Sequence, residues 1–440
     1  MSEPPNRNWI SRSSRLLNMA AQVAGKEVRQ RVRGGFERSV ERLHDLEVLT
    51  RVEQAAVMAE TLGQLKGAVM KAGQLLSLDA SDFLPPEALD VLAKLQSRAE
   101  PVRFEVMAQV LTEDLGDAVS RFDSLEEVAA ASASIGQVHR GRVDGRSVAV
   151  KIQYPGIADC IDSDLAALRR VATSWLRVSG RRIDLDDTFS ELSQILKFES
   201  DYRRELENLV RYRKLLATDP RFSVPDVWPD LSSQRVLTMD WVDGQPLHAW
   251  IRSEPSAEAR LELATKLLDL YCLEFFEWGF VQTDPNHGNF MVGGDGTLML
   301  LDLGAAIEYD VEFRRVYVQL LRAIGSQDRD QILDAGFKFD LLDAREPEDA
   351  RDAFVELLIQ ALQPFLPDNQ PFHCRDRDYA ASSRAAALTF SRSLRFSAPP
   401  RKLLFLHRKL GGIFNLLKRL DLTMDLYPYW LKMVGSEIPS

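Results

Sequence analysis

The sequence predicts an α+β protein built from a helical N-terminal stretch, a mixed central segment and a mostly helical C-terminal segment. Three observations support this. Residues from about Ser11 to Leu78 keep helical spacing with few breakers. Gly136 to Val143 and Ser147 to Gln153 alternate around Asp144-Gly145, a strong two-residue hairpin signal. Beyond Glu254 helical spacing returns, interrupted by short strands near Phe290 to Val292 and Leu298 to Leu301.

The helical start breaks at Asp82-Phe83-Leu84-Pro85-Pro86, and a short helix then runs to Gln96. After the hairpin, helices are expected over Ile157 to Val178 and Leu185 to Ala217, and a strand over Arg235 to Trp241 that turns out at Val242-Asp243-Gly244. These shifts give three divisions: 1–118, a helical extension; 119–244, a small sheet with long helices; and 245–440, mostly helical.

A chain of 440 residues exceeds one ordinary core. Its 45% hydrophobic and 27% charged residues are those of a globular protein. The net charge of -10 argues against a nucleic-acid binder, which needs concentrated basic surface. Between Arg7 and Arg42 basic residues do dominate, and that stretch reads either as a surface for anionic membrane or as a solvated helix face. Cys160, Cys272 and Cys374 are scattered and odd in number, which suits a reducing compartment. No apolar run approaches a membrane span and no secretory core opens the chain, so a cytoplasmic protein is expected, in solution or peripheral at a membrane.

The second hairpin strand, Val148-Ala149-Val150-Lys151-Ile152, places a lysine among apolar residues. In phosphoryl transfer a strand lysine holds α- and β-phosphates and a helix carboxylate fixes it; alone, such a lysine reads as well as an edge residue in water. Asp284-Pro285-Asn286-His287-Gly288-Asn289 supplies the Asp-x-x-x-x-Asn spacing of a catalytic loop, and Asp302 follows at a strand end. Asp284 would orient or deprotonate an acceptor, while Asn289 and Asp302 offer the hard oxygens that magnesium prefers. Where a phosphate-covering Gly-rich loop would stand, the chain has Ala130-Ala131-Ser132-Ala133-Ser134-Ile135-Gly136. Alanine restricts the backbone there, so nucleotide should be held differently.

Together the Ala-rich loop, Val148 to Lys151, Thr283 to Asn289 and Asp302-Leu303-Gly304 resemble the UbiB/ADCK (AarF) family of atypical kinases, over about Met58 to Gly304. Lys71-Ala72-Gly73-Gln74 is similar to that family's Lys-x-Gly-Gln element, which the family folds over the acceptor position. The resemblance implies a bilobal protein-kinase-like fold, ATP (or ADP) with Mg2+, and a nucleotide site assembled from Lys151, Glu205, Asp284, Asn289 and Asp302. It also implies a cofactor-covering loop of Ala131, Ser132, Ala133 and Ser134, a hinge at Met239, Asp240 and Val242, and regulatory contacts of Glu199 and Asp201 with Lys71 beside Gln74. At ~100° per residue, one continuous helix would put Asp201 and Glu205 on one face and Glu199 about 120° away. The implied activity is that of an ATPase or a kinase for a small molecule or lipid such as a quinone precursor, with a nucleotide-gated scaffold as the alternative. Gln282-Thr283-Asp284 replaces His-Arg-Asp and no long activation segment follows Ala305, so an ordinary protein kinase is not expected.

Overall fold

The structure is a computed structural model that describes residues 102–438 apart from 134, 164, 167–168, 170–185, 285 and 395–400. The expectations for the helical start, for Lys71, Gln74 and Ser134, and for most of Ile157 to Val178 lie outside the described residues. Two compact units are present. One runs through Arg211 and resumes over Pro225–Val242; the other comprises Tyr212–Val224 and Asp243 onward.

The first unit centres on an antiparallel sheet of five strands. Helix α1 (Phe104–Leu115) precedes β1 (Phe122–Leu125), β2 (Ala131–Ser132), β3 (Gly136–Val143) and β4 (Arg146–Gln153). After α2 (Asp186–Glu199) and α3 (Tyr202–Leu215), and beyond β5 (Phe222–Ser223) of the second unit, β6 (Val236–Asp240) completes a sheet ordered β1-β3-β4-β6, with β2 added on β3. Asp144 (φ 51°) and Gly145 (φ 76°) both take positive φ, the type I′ geometry whose twist matches paired strands. Val148, Val150 and Ile152 are fully buried, and α1 buries Met107, Val110 and Leu111. Buried Gln137 ties the chain before α1 to the sheet: its Nε2 donates to the Val102 carbonyl (3.1 Å) and its Oε1 accepts the Val102 N–H (3.0 Å).

Two expectations are corrected here. The helix expected over Leu185 to Ala217 breaks at Ser200–Asp201, where α2 ends and α3 begins. Asp201 caps α3, accepting the Arg203 N–H at 3.1 Å, so it does not share a helical face with Glu205. The Ala-rich segment is not wholly a loop either: Ala131 and Ser132 pair with Val138 and Gln137, and the Ala133 N–H reaches the Gly136 carbonyl at 2.9 Å. A Cβ at Gly136 would sit 2.2 Å from the Ile152 carbonyl oxygen, so the close pairing of β3 with β4 requires glycine at that position.

In the second unit, β7 (Gln245–Pro246), α4 (Leu247–Arg252) and α5 (Ala257–Cys272) lead into a π-helical turn, Leu273–Trp278. Next come β8 (Phe280–Gln282), β9 (Phe290–Val292), β10 (Leu298–Leu300) and β11 (Ala306–Glu308). β5, β10, β9 and β7 form one small sheet in that order, and β8 pairs antiparallel with β11. Thus more short strands interrupt the helical region than the two expected. The rest is helical apart from the pair β12 (Phe372–His373) and β13 (Thr423–Met424): α6 (Val311–Ser326), α7 (Arg329–Lys338), α8 (Glu348–Leu362), α9 (Arg377–Ser393), α10 (Arg401–Leu420) and α11 (Tyr427–Val434). Phe275, buried, makes edge-on contacts with Phe276, Tyr309 and Tyr317 at 4.9–5.3 Å, tying the π turn to the start of α6.

Candidate functional site

In the first unit the β4 lysine has the partner expected for it. Lys151 Nζ lies 2.8 Å from both carboxylate oxygens of Glu205, and the residues are 6% and 1% exposed. Their burial excludes the reading of Lys151 as an edge lysine in water. Nζ also stands 4.8 Å from the ring centroid of Tyr202, on the first turn of α3. Two charges taken out of water are tolerated only when each satisfies the other, so strand and helix fix one geometry for this ammonium.

The expected hinge follows β6. Met239 pairs with Ala149 and Asp240 with Val148, which places the strand end beside the apolar residues of β4. The Asp240 N–H goes to the Asp226 carbonyl (2.7 Å) and the Trp241 N–H to the Ser147 carbonyl (2.9 Å). The Asp240 carboxylate is held by Trp228 Nε1 (2.9 Å) and by Arg146, so its side chain serves the sheet.

In the second unit Asp284 follows β8 and Asp302 follows β10. Asn286 Oδ1 accepts the Gly288 N–H at 3.0 Å, which opens a single 3-10 turn, His287–Asn289. That turn brings Asn289 back to Asp284: its Nδ2 donates to Asp284 Oδ2 at 3.1 Å and to the Asp284 carbonyl at 3.3 Å. With its nitrogen committed there, Asn289 keeps Oδ1 as the end able to meet a cation. The Asn289 carbonyl accepts the Leu301 N–H (2.9 Å), which fastens the turn next to Asp302, and Asp302 Oδ1 accepts the Gly304 N–H (3.1 Å).

Sequence reasoning missed Gln282, which is 1% exposed. Its Nε2 donates to the Asp302 carbonyl at 2.6 Å and its Oε1 accepts the Asp284 N–H at 3.1 Å. Its signal was its place two residues before Asp284, where it was read only as a departure from His-Arg-Asp. Thr283 adds a second tie, its hydroxyl and N–H both donating to the Ala305 carbonyl. His287, read as structural or solvated, is half-buried with Nε2 unpartnered, and burial pushes its imidazole down to about 4, so it is neutral near pH 7.

No group of three His, Cys, Asp or Glu side chains among the described residues could hold a metal by itself. Magnesium suits such a partial set, because it takes one or two protein oxygens and completes its shell with water and phosphate. Asp302 and the free oxygen of Asn289 fit that requirement.

A buried strand lysine paired to a helix carboxylate, an Asp and an Asn five residues apart joined by a hydrogen bond, and an Asp after the next hairpin are the pattern of a kinase-like protein. The ABC1 atypical kinase-like domain matches residues 94–335. The chain belongs to that family. It is 34% identical over 398 residues to the mitochondrial atypical kinase COQ8B of Rattus norvegicus, covering 87% of this chain and 74% of the relative. It is 33% identical over 375 residues to the mitochondrial atypical kinase coq-8 of Caenorhabditis elegans, covering 83% of this chain and 49% of that one. The chain thus spans about half the length of the nematode protein. A solved structure of Rv3197 with erythromycin from Mycobacterium tuberculosis superposes with a TM-score of 0.60 at 28% identity, covering 89% of this chain and 98% of that one. Among the described residues no helix is long and apolar enough to cross a membrane.

Proposed function

We propose that the chain binds ATP (or ADP) with Mg2+ and acts as an ATPase or as a kinase for a small molecule or lipid, in support of ubiquinone or isoprenoid-lipid metabolism. The observation that carries the reading is the pair of bonds from Asn289 Nδ2 to Asp284, which leaves Oδ1 as the end of Asn289 able to meet a cation, while Asp302 is tied to the same loop through Gln282. Asn289 and Asp302 are the residues that would hold Mg2+, which when bound neutralises charge building on the phosphates. Lys151, held by Glu205, meets the α- and β-phosphates; Asp284 orients the acceptor hydroxyl or water and takes its proton. Ala131, Ser132 and Ala133 cover the phosphates, and the hinge at Met239, Asp240 and Val242 offers main-chain groups to an adenine. The path from Asp302 through β11 into α6 is short, with no long activation segment between them, which favours a small acceptor or water. The name COQ8 carried by several relatives supports the quinone assignment, and their mitochondrial names fit work at or near a membrane.

A nucleotide-gated scaffold is the alternative, and the retained Asp284, Asn289 and Asp302 set weighs against it. Phosphate release from ATP and Mg2+ by purified protein, beside Asp302→Asn, separates the two. Turnover that falls by about 10²-fold or more in the variant supports the enzyme. Nucleotide binding without any turnover supports the scaffold.

A further inference from the structure

On the α5/α10 side of Asp284, the second unit forms a small, part-open pocket with about 10 Å³ of space for the centre of a water molecule. Its walls are apolar, including Leu270, Phe290 and Leu416, and Gly412 on α10 contributes no side chain. Two lining residues are charged: Asp284 and Lys409. Lys409 is 4% exposed, and its ammonium lies 2.9 Å from Oε2 of Glu274, which is fully buried in the π turn. Glu274 Oε1 is taken by the Tyr212 hydroxyl at 3.0 Å. A single carboxylate oxygen engages at most one of the three ammonium donors, so Glu274 alone does not satisfy Lys409. A buried lysine needs both a counter-charge and hydrogen-bond acceptors. The space matches a single water, and a water ordered there needs two or more polar partners.

We infer that this pocket holds one ordered water bridging the Lys409 ammonium to the Asp284 carboxylate, and that Lys409, anchored by Glu274, is a positioning residue for Asp284. The water accepts a hydrogen bond from the Lys409 ammonium and donates one to the Asp284 carboxylate, and no covalent bond is made or broken. The π turn explains the anchor: the register change within Leu273–Trp278 brings Glu274 fully inside, where α10 supplies the lysine. The inference rests on the proposed role of Asp284 at the acceptor.

Two measurements on the full chain decide it. A crystal structure is expected to show an ordered oxygen within about 3 Å of both Lys409 Nζ and an Asp284 carboxylate oxygen. No oxygen there, or one that contacts only one of the two, overturns it. In kinetics, Gly412→Ala adds a methyl to a residue that lines the pocket while raising helix propensity. It is expected to lower kcat about tenfold with the KM for ATP and the Tm not worsened. Because Lys409→Met alone leaves Glu274 buried and uncompensated, the second variant is Lys409→Met with Glu274→Gln, for which the same split between kcat and KM is expected. Parent-like kcat in both, or loss that only follows a lowered Tm, overturns the inference. A parent protein with no phosphate release strikes the proposed function instead, and the ordered oxygen still decides the bridge.

Discussion

Gln282 and Asp302 are joined by a 2.6 Å bond from the side-chain amide of the first to the main-chain carbonyl of the second, while the same amide's oxygen takes the Asp284 N–H. One buried glutamine therefore sets the spacing between the proposed acceptor-side carboxylate and the proposed metal ligand. Gln282→Leu keeps the volume and removes both bonds. It is expected to lower kcat by about 10- to 100-fold, since small misplacements of reacting groups cost that much, while nucleotide affinity stays near that of the parent. Phosphate-release kinetics beside a nucleotide titration checks this, and parent-like kcat would show that the tie is only structural.

The Lys151–Glu205 pair is buried on both sides, so single and double replacements should differ in size. Lys151→Met alone strands a carboxylate that is 1% exposed and is expected to cost about 3–5 kcal/mol. Lys151→Met with Glu205→Leu should recover most of that loss and still abolish nucleotide chemistry. Urea unfolding followed on both proteins tests the ordering. A single variant as stable as the double one would contradict a tightly paired ion.

Ala131 sits in β2 facing β3, and Ala133 closes the turn by donating to Gly136. Glycine at either position loosens this short strand and lets its amides move toward phosphate. Ala131→Gly and Ala133→Gly are expected to shift the ratio of ATP to ADP affinity without a large change in stability. Titrations of both nucleotides that superimpose on those of the parent would count against a phosphate-covering role.

His139 is buried, and burial holds its imidazole below the usual histidine range. Its Nδ1–H donates to the Glu126 carbonyl (2.8 Å) and its Nε2 accepts from Gln137 (2.9 Å), so both nitrogens are used in the neutral form. With the folded value below the unfolded 6.5, the unfolded chain takes up the proton first as pH falls. The contribution is therefore whole above about pH 6.5 and is lost on acidification toward the folded value. Thermal unfolding across pH 7 to 5 should show a falling midpoint whose slope is shallower in His139→Gln; equal slopes would place the acid sensitivity elsewhere.

Local chemistry was legible in the sequence. Asp144-Gly145 demanded a positive-φ turn and the strands on both sides followed, with β9 and β10 found the same way. The pairing of Lys151 with Glu205 came from residue type, order and family resemblance together. What was not legible lacks a local marker. The break at Ser200–Asp201 contains neither glycine nor proline, and apolar spacing continues across it, so α2 and α3 read as one helix and Asp201 was given a helical face it does not have. β8 is three buried residues without alternation, too short for a periodicity to register. Gln282 and Lys409 matter through what they touch far along the chain, and a single sequence does not carry that information.

The central claim is that the chain binds nucleotide with magnesium, and nucleotide titration with and without Mg2+ tests it most directly. The account predicts ATP binding strengthened by Mg2+ in the parent, loss of that strengthening in Asp302→Asn, and weakened binding in Lys151→Met rescued for folding by Glu205→Leu. Binding indifferent to Mg2+ and unchanged in both variants would contradict it.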